Sequence, residues 1–174
     1  MRAFIIGNGP SRKGFDITSL KGHGTIYGCN ALYRDFPKFD IPDYLVSIDE
    51  EIITEIKNAG INAMLDAIKK GHNELYCFGF DFMIKNPKVA LGNMYDGTNA
   101  YGIETRTRYQ DNVNRIKYMQ FLAAKYNKVK FIFVVPHYGN KDQYHNLNSK
   151  NVAGMFYSKF IEMINKESKQ VINA

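Results

Sequence analysis

Residues 1–16, MRAFIIGNGPSRKGFD, decide the predicted fold. Ala3 to Ile6 form a short apolar run without a polar interruption, which is typical of a strand buried on both faces of a parallel sheet. The run stops at the turn Gly7-Asn8-Gly9-Pro10-Ser11, where glycine lets backbone N–H groups approach a ligand and proline fixes φ. A buried strand followed by a glycine-rich turn predicts an α/β protein that holds a phosphate at that turn, because free amides and a helix terminus would point at the anion.

The turn after this first strand matches neither of the two common phosphate-binding fingerprints. It lacks the third glycine of the dinucleotide pattern and the Gly-Lys-Ser/Thr sequence of a P-loop. Ser11 offers a hydroxyl and, at the mouth of a helical turn, an N-cap. A tight strand-to-loop turn without a ligand is the alternative interpretation, so the motif alone does not establish a binding site.

Four more segments have the apolar, β-branched or aromatic composition of strands, and amphipathic or long segments connect them. The later strands are predicted at 25–29, 44–48, 74–79 and 129–135, and the helices at 52–57, 62–70, 109–126 and 152–166. Asn58-Ala59-Gly60 is predicted to end the first of these helices, and Gly71 to follow the end of the second. This alternation predicts one α/β domain over residues 1–174, built on a single doubly wound, mostly parallel sheet of about five strands.

Several polar side chains follow directly after predicted strands, where parallel sheets collect their ligands at one edge. Asn30 either reads a base or ribose edge or stabilises a turn. Asp49 is either an N-cap or an active-site carboxylate, and Asp81 repeats its arrangement beyond the next strand. His137 is either a general base or an exposed loop histidine. We therefore expect all four to converge on the same rim of the sheet as the first turn.

Residues 83–108 form the irregular part of the sequence, because glycines and a proline punctuate them. A connection of this length within a compact domain is usually functional or disordered. The functional interpretation is a lid over the strand ends that brings Tyr101, Arg106 and Arg108 to phosphate oxygens. Disorder without function is the alternative.

The composition is that of an ordinary globular domain with a surplus of positive charge. The formal net charge of +6 is compatible with a nucleotide or polynucleotide ligand, and equally with solvated lysines alone. No run approaches the ~18 apolar residues of a membrane span, and no signal-peptide pattern precedes the first strand, so the predicted location is cytoplasmic. Cys29 and Cys77, without a CxxC motif, are expected to be small buried residues rather than a disulfide or a metal site.

Four segments in this order resemble a known family. They are GNGPS after strand one, GCNALY after strand two, AMLDAIKKGHNELYCFGFDF and QFLAAKYNKVKFIFVVP. They are similar to bacterial sialyltransferases that use CMP-sialic acid, and to related domains that include archaeal hydroxymethylpterin pyrophosphokinases and the motility accessory factor type. The resemblance covers most of the chain and implies a Rossmann-like core of the glycosyltransferase-A-type variant. In the sialyltransferases the first two loops hold the nucleotide, which implies contacts from Gly7, Asn8, Gly9, Pro10, Ser11 and Asn30 and makes Gly79 and Asp81 neighbours of the ligand.

These observations favour a small, metal-independent, glycosyltransferase-like transferase whose donor is a CMP-sugar or another nucleotide sugar. The GNGPS amides with Asn8 and Asn30 would grip the nucleotide, and the lid residues would neutralise the leaving phosphate. Asp49, Asp81 or His137 would deprotonate the acceptor hydroxyl. The sequence has no DxD motif, so we predict no obligatory metal or other cofactor.

Two other functions stay open. Residues 108–111 read RYQD, without the histidine that the sialyltransferases place in this neighbourhood, which favours a non-catalytic nucleotide-binding module as an alternative. The positive charge and the loop arginines favour a third function, in which the acceptor or the only ligand is a nucleic acid rather than a glycan. Such a ligand would bind with a steep dependence on salt, although the sequence shows no known nucleic-acid-binding motif. The oligomeric state is left open.

Overall fold

The computed structural model describes residues 1–29, 32, 42–46, 58–81, 94, 98, 109–137, 144, 147 and 149–173. These residues contain a six-stranded sheet and three α-helices. Within them, no helix combines the length and the apolar character that crossing a membrane requires.

All strand pairings in the sheet are parallel. The strands are β1 (Arg2–Ile6), β2 (Thr25–Cys29), β3 (Tyr44–Val46), β4 (Glu74–Phe78), β5 (Lys130–Val135) and β6 (Val152–Phe156). Their spatial order is β3-β2-β1-β4-β5-β6. The chain therefore runs outward from β1 in one direction, returns, and runs outward from β4 in the other, which is the Rossmann-like arrangement. The predicted α/β class is confirmed, with one strand more than expected.

β1 lies at the centre of the sheet, and it is buried as its apolar sequence predicts. Residues Ala3 to Ile6 are fully buried, and Ile5 pairs with Tyr27 of β2 on one side and with Cys77 of β4 on the other. Side chains alternate between the faces of a strand. Ala3 and Ile5 accordingly belong to one hydrophobic cluster, whereas Phe4 and Ile6 belong to the second.

Helical segments cover both faces of the sheet, so the doubly wound prediction is confirmed. One face carries α1 (Ala59–Lys69) and α2 (Tyr109–Lys125). The other carries α3 (Tyr157–Ile172) and a short 3₁₀ helix, Ile17–Leu20. Cys29 and Cys77 are both buried free thiols inside this core, as predicted, and burial raises the pKa of Cys29 to about 12.

The closing helix predicted at 152–166 is wrong at its start. Residues 152–156 form strand β6, which pairs with β5 in the register Phe131↔Val152, and the helix begins only at Tyr157. The apolar residues Met155 and Phe156 fit a helical spacing with Phe160, so the two periods could not be separated in this short run. Pairing along β5 decides the outcome in favour of a strand.

The prediction that Asn58-Ala59-Gly60 ends a helix is also corrected, because these residues begin α1. The Asn58 side chain caps the helix by accepting a hydrogen bond from the Ile61 amide at 2.9 Å. Gly60 admits the ring of Phe80, since a Cβ there would lie 2.6 Å from Phe80 Cε1. Gly71 follows α1 with a φ of 91°, as predicted. The predicted helix 52–57 and the end of the third predicted strand lie outside the described residues.

Candidate functional site

The loops that follow β1 and β4 meet at the point where the order of the strands reverses. The Gly7 amide donates to the Phe78 carbonyl and the Gly9 amide donates to the Gly79 carbonyl, both at 2.8 Å. These bonds continue the ladder between the two strands beyond their carboxyl ends. Because ligands of doubly wound sheets bind in the crevice at this position, we call the two loops, residues 7–12 and 79–81, the switch-point corner.

The glycines of the corner allow the two loops to touch. Gly79 has a φ of 73°, which is the left-handed region that favours glycine. A Cβ on Gly9 would clash with the Asp81 carboxylate and would lie 2.5 Å from the Gly79 carbonyl oxygen. In the described structure, glycine at these positions therefore serves the contact between loops, whereas the sequence pattern predicted an approach of amides to a ligand.

Asp81 turns its carboxylate into the corner. Its Oδ2 atom accepts a hydrogen bond from the Ser11 amide at 2.9 Å and lies against Cα of Gly9. Burial raises the pKa of Asp81 above its usual range, and the hydrogen bonding from Ser11 offsets part of this rise. Among the described residues, no lysine, arginine or histidine forms an ion pair with this carboxylate. The corner thus holds a partly buried negative charge that hydrogen bonding from Ser11 stabilises.

Ser11 is not the N-cap that the sequence predicts. The short 3₁₀ turn runs over Pro10–Arg12 and has Gly9 at its N-cap position, so Ser11 lies inside the turn. Its carbonyl accepts a hydrogen bond from the Tyr157 hydroxyl at 2.5 Å. Its own hydroxyl oxygen is buried close to Asp81 and has no partner of acceptable hydrogen-bond geometry among the described residues. The serine therefore places a second polar atom beside the Asp81 carboxylate.

Arg12 supports the corner from below, and the sequence analysis missed it. Its side chain is only 3% exposed. Nε donates to the Gly7 carbonyl at 2.8 Å, and Nη2 approaches Asn8 Oδ1 at 3.4 Å. The side-chain amide nitrogen of Asn8, Nδ2, in turn donates to the Cys29 carbonyl at the end of β2, at 2.9 Å. The sequence gives one signal that Arg12 rather than its neighbour Lys13 would be buried, which is that a guanidinium can donate hydrogen bonds in several directions at once.

The structure brings all five predicted first-loop residues together with two residues that follow β4. The residues that meet at the corner are Gly7, Asn8, Gly9, Pro10, Ser11, Gly79 and Asp81. His137 follows β5 at the same rim and is exposed. Within the predicted lid, the amide of Met94 donates to the Asn8 carbonyl at 2.8 Å. Five predicted site residues lie outside the described residues, namely Asn30, Asp49, Tyr101, Arg106 and Arg108.

The chain matches no protein-family model, no curated protein and no solved structure. The resemblance to sialyltransferases therefore stays a prediction that rests on the quoted motifs. The Rossmann-like fold follows from the order of the strands, and the switch-point corner follows from the hydrogen bonds between its two loops.

Proposed function

We propose that the chain is a small transferase that binds a nucleotide-activated donor, preferably a nucleotide sugar, across the switch-point corner without an obligatory metal. The observation that carries this proposal is the meeting of the loops after β1 and β4 at the reversal of strand order. Asn8, Gly9, Ser11 and Asp81 are all partly exposed there. A cleft with a few convergent polar groups on a rigid sheet is the usual form of a small-molecule site.

The leaving phosphate needs positive charge or hydrogen-bond donors in the transition state. In the proposal, Tyr101, Arg106 and Arg108 supply them. The formal net charge of +6 favours the approach of an anionic donor.

The acceptor hydroxyl must lose a proton during transfer, and a carboxylate or imidazole is the group for this step. Of the three predicted candidates, Asp81 lies in the corner and His137 lies exposed beyond the neighbouring strand β5. Asp49 is the third candidate. Single substitutions of each, Asp49→Asn, Asp81→Asn and His137→Gln, separate them, since loss of the base lowers kcat by roughly 10²–10⁴-fold.

The first experiment is a binding and turnover screen. The purified protein is titrated with nucleoside mono- and diphosphates at millimolar concentration and incubated with a panel of nucleotide sugars. We expect a rise in melting temperature with at least one nucleotide and release of nucleotide from the matching sugar donor. Asn8→Ala should weaken both, whereas Asn165→Ala, on an exposed position of α3, should change neither. A protein that shows neither a thermal shift nor turnover would refute the proposal.

A binding module without catalysis is the second candidate, favoured by the sequence RYQD at 108–111. It predicts a clear thermal shift with a nucleotide and no turnover of any donor. In that case Asp49→Ala and His137→Ala would leave nucleotide affinity unchanged.

A further inference from the structure

Three backbone amides of the first loop already donate to partners inside the protein. Gly7 and Gly9 donate to carbonyls of the β4 loop, and Ser11 donates to the Asp81 carboxylate. Pro10 has no amide hydrogen. A phosphate placed on this turn would have to break these bonds, so the corner differs from a phosphate-binding loop, in which several N–H groups point at the anion.

The charge of the corner also disfavours phosphate. The Asp81 carboxylate fills the space above Gly9 and has no cationic partner among the described residues. A phosphate oxygen beside it would face a like charge in a partly desolvated setting, where repulsion is stronger than in water. A neutral group that donates hydrogen bonds would instead meet an acceptor whose charge strengthens the bond.

Two polar groups lie side by side at this position. One carboxylate oxygen of Asp81 takes the Ser11 amide, and the carboxylate has capacity for further donors. The buried Ser11 hydroxyl, which has no partner among the described residues, lies close to it. Two adjacent hydroxyls on one sugar ring match this pair of neighbouring polar groups, since each can donate and accept.

We infer that Asp81 and Ser11 form a subsite for the sugar hydroxyls of the nucleoside, and that the nucleotide lies with its phosphates directed away from the GNGPS turn. This inference rests on the proposed function and deepens it. It gives Asp81 a role in holding the ligand rather than in deprotonating the acceptor.

The test measures affinity for ligands that differ only in hydroxyls or phosphates. Wild type and Asp81→Asn are titrated with the ribonucleoside diphosphate that binds best, with its 2′,3′-dideoxy form, and with inorganic pyrophosphate. We expect the substitution to weaken ribonucleotide binding about tenfold, through loss of a charge-assisted bond. It should leave binding of the dideoxy form, which is already weaker, unchanged. Pyrophosphate should bind to wild type and to Asp81→Asn with equal affinity.

Charge and folding are controlled separately. Asp16→Asn removes a carboxylate from the exposed end of the same loop, where Asp16 caps the next short helix. It reports how far a general loss of negative charge alters nucleotide affinity. Ser11→Ala removes only the buried hydroxyl and should weaken the ribonucleotide but not the dideoxy form. Melting temperatures of all variants check that the fold is retained.

Three results would overturn the inference. Tighter binding of pyrophosphate by Asp81→Asn than by Asp16→Asn would show that the carboxylate occupies an anion site. Equal affinity for ribo and dideoxy ligands, or equal loss of both in Asp81→Asn, would remove the hydroxyl subsite while leaving nucleotide binding in place. If no nucleotide binds any variant, the proposed function fails and the inference fails with it.

Discussion

The strands of the sheet begin at one edge, the amino rim, and end at the other, the carboxyl rim. The two rims differ in how their charged side chains are paired. At the amino rim, the Arg2 guanidinium donates to both carboxylate oxygens of Glu167 at 2.8 Å and reaches Glu74 Oε1 at 3.3 Å. At the carboxyl rim, the Asp81 carboxylate lies against Gly9 with one amide donor and, among the described residues, without a cation. Paired charges tie elements together, whereas a buried charge without a partner lowers stability. The amino rim thus joins elements of the fold through paired charges, whereas the carboxyl rim is where we propose that a ligand binds.

Acid–base behaviour separates the rims in the same way. The bidentate bond from Arg2 holds the pKa of Glu167 below its usual range, while burial raises the pKa of Asp81. Ionised Glu167 therefore stabilises the fold, and that stability is lost as the pH falls through its pKa in the folded state. For Asp81 the raised pKa means that the folded state favours the protonated carboxyl. The stability that protonated Asp81 contributes is therefore fully present in acid and is lost as the pH rises through its raised pKa.

The largest expected effect comes from breaking the amino-rim network. Arg2→Ala removes hydrogen bonds to two carboxylates and leaves Glu167 with the longer contact to His23 Nδ1 at 3.8 Å. We therefore expect the free energy of unfolding to fall by about 2 kcal/mol. Urea denaturation at pH 7 measures this loss. Lys166→Ala provides the matched control, because its pair with Glu162 is exposed to solvent on α3 and should contribute little to stability. Equal losses in the two variants would contradict a special role for the amino rim.

The next effect tests the carboxyl rim and has the opposite sign. Asp81→Asn keeps an acceptor for the Ser11 amide and removes the buried charge, so we expect it to stabilise the ligand-free protein at pH 7 by about 1 kcal/mol, as is common when a functional site is relaxed. The gain should vanish in acid, where Asp81 is protonated in both states. Glu167→Gln should instead destabilise at pH 7 and lose its effect in acid. Denaturation of both variants across pH 3–7 measures the two trends, and parallel trends would remove the contrast between the rims.

How far the sequence determines this picture differs between the sheet and the corner. The apolar run Ala3–Ile6 is sufficient to predict a strand buried on both faces, and the polar residues after strands are sufficient to place Asp81 at the carboxyl rim. The orientation of the Asp81 side chain depends on contact between two loops about 70 residues apart in sequence. No local sequence pattern encodes that these loops lie next to each other. Arg12 differs, because its hydrogen bonds to Gly7 and Asn8 lie within its own loop.

β6 shows a different limit of sequence reasoning. Val152–Phe156 pairs with β5 along its length, yet a five-residue apolar segment next to a helix carries too few residues to distinguish a period of 2 from one of 3.6. The helix start at Asn58 was open to prediction, since asparagine is a preferred N-cap. The capping bond to the Ile61 amide shows that this signal outweighed the helix-ending interpretation of Ala59-Gly60.

His72 offers a smaller pH effect on the amino side of the sheet. Its ring is 4% exposed and packs edge-on against Tyr27 at 5.5 Å between centroids. Burial lowers its pKa, so the neutral form stabilises the fold above the unfolded value near 6.5 and this stability is lost as the pH falls below it. Between pH 7.5 and 5.5 we expect wild type to lose roughly 2 °C more in melting temperature than His72→Gln. His137→Gln, at an exposed position, should follow wild type, and a coincidence of all three curves would exclude this role for His72.

The smallest expected effect concerns Tyr27, which shows that burial without a partner is not by itself a sign of function. The Tyr27 hydroxyl is buried beside His72 and has no hydrogen-bond partner among the described residues, and burial raises its pKa to about 12. Unlike Asp81 it is neutral at pH 7, and it lies in the middle of β2 under α1 rather than at a strand end.

Removing the hydroxyl in Tyr27→Phe should therefore raise the free energy of unfolding by about 0.5 kcal/mol, because an unsatisfied group disappears and the ring packing is kept. The comparison is Tyr76→Phe, which loses a contact with Met163 Sδ at 3.5 Å and hydrogen bonding with Glu74, so this variant should not gain stability. A clear loss in Tyr27→Phe would mean that the hydroxyl has a stabilising partner, and ligand binding at the carboxyl rim should be unaffected in either variant, since both substitutions leave the loops after β1 and β4 intact.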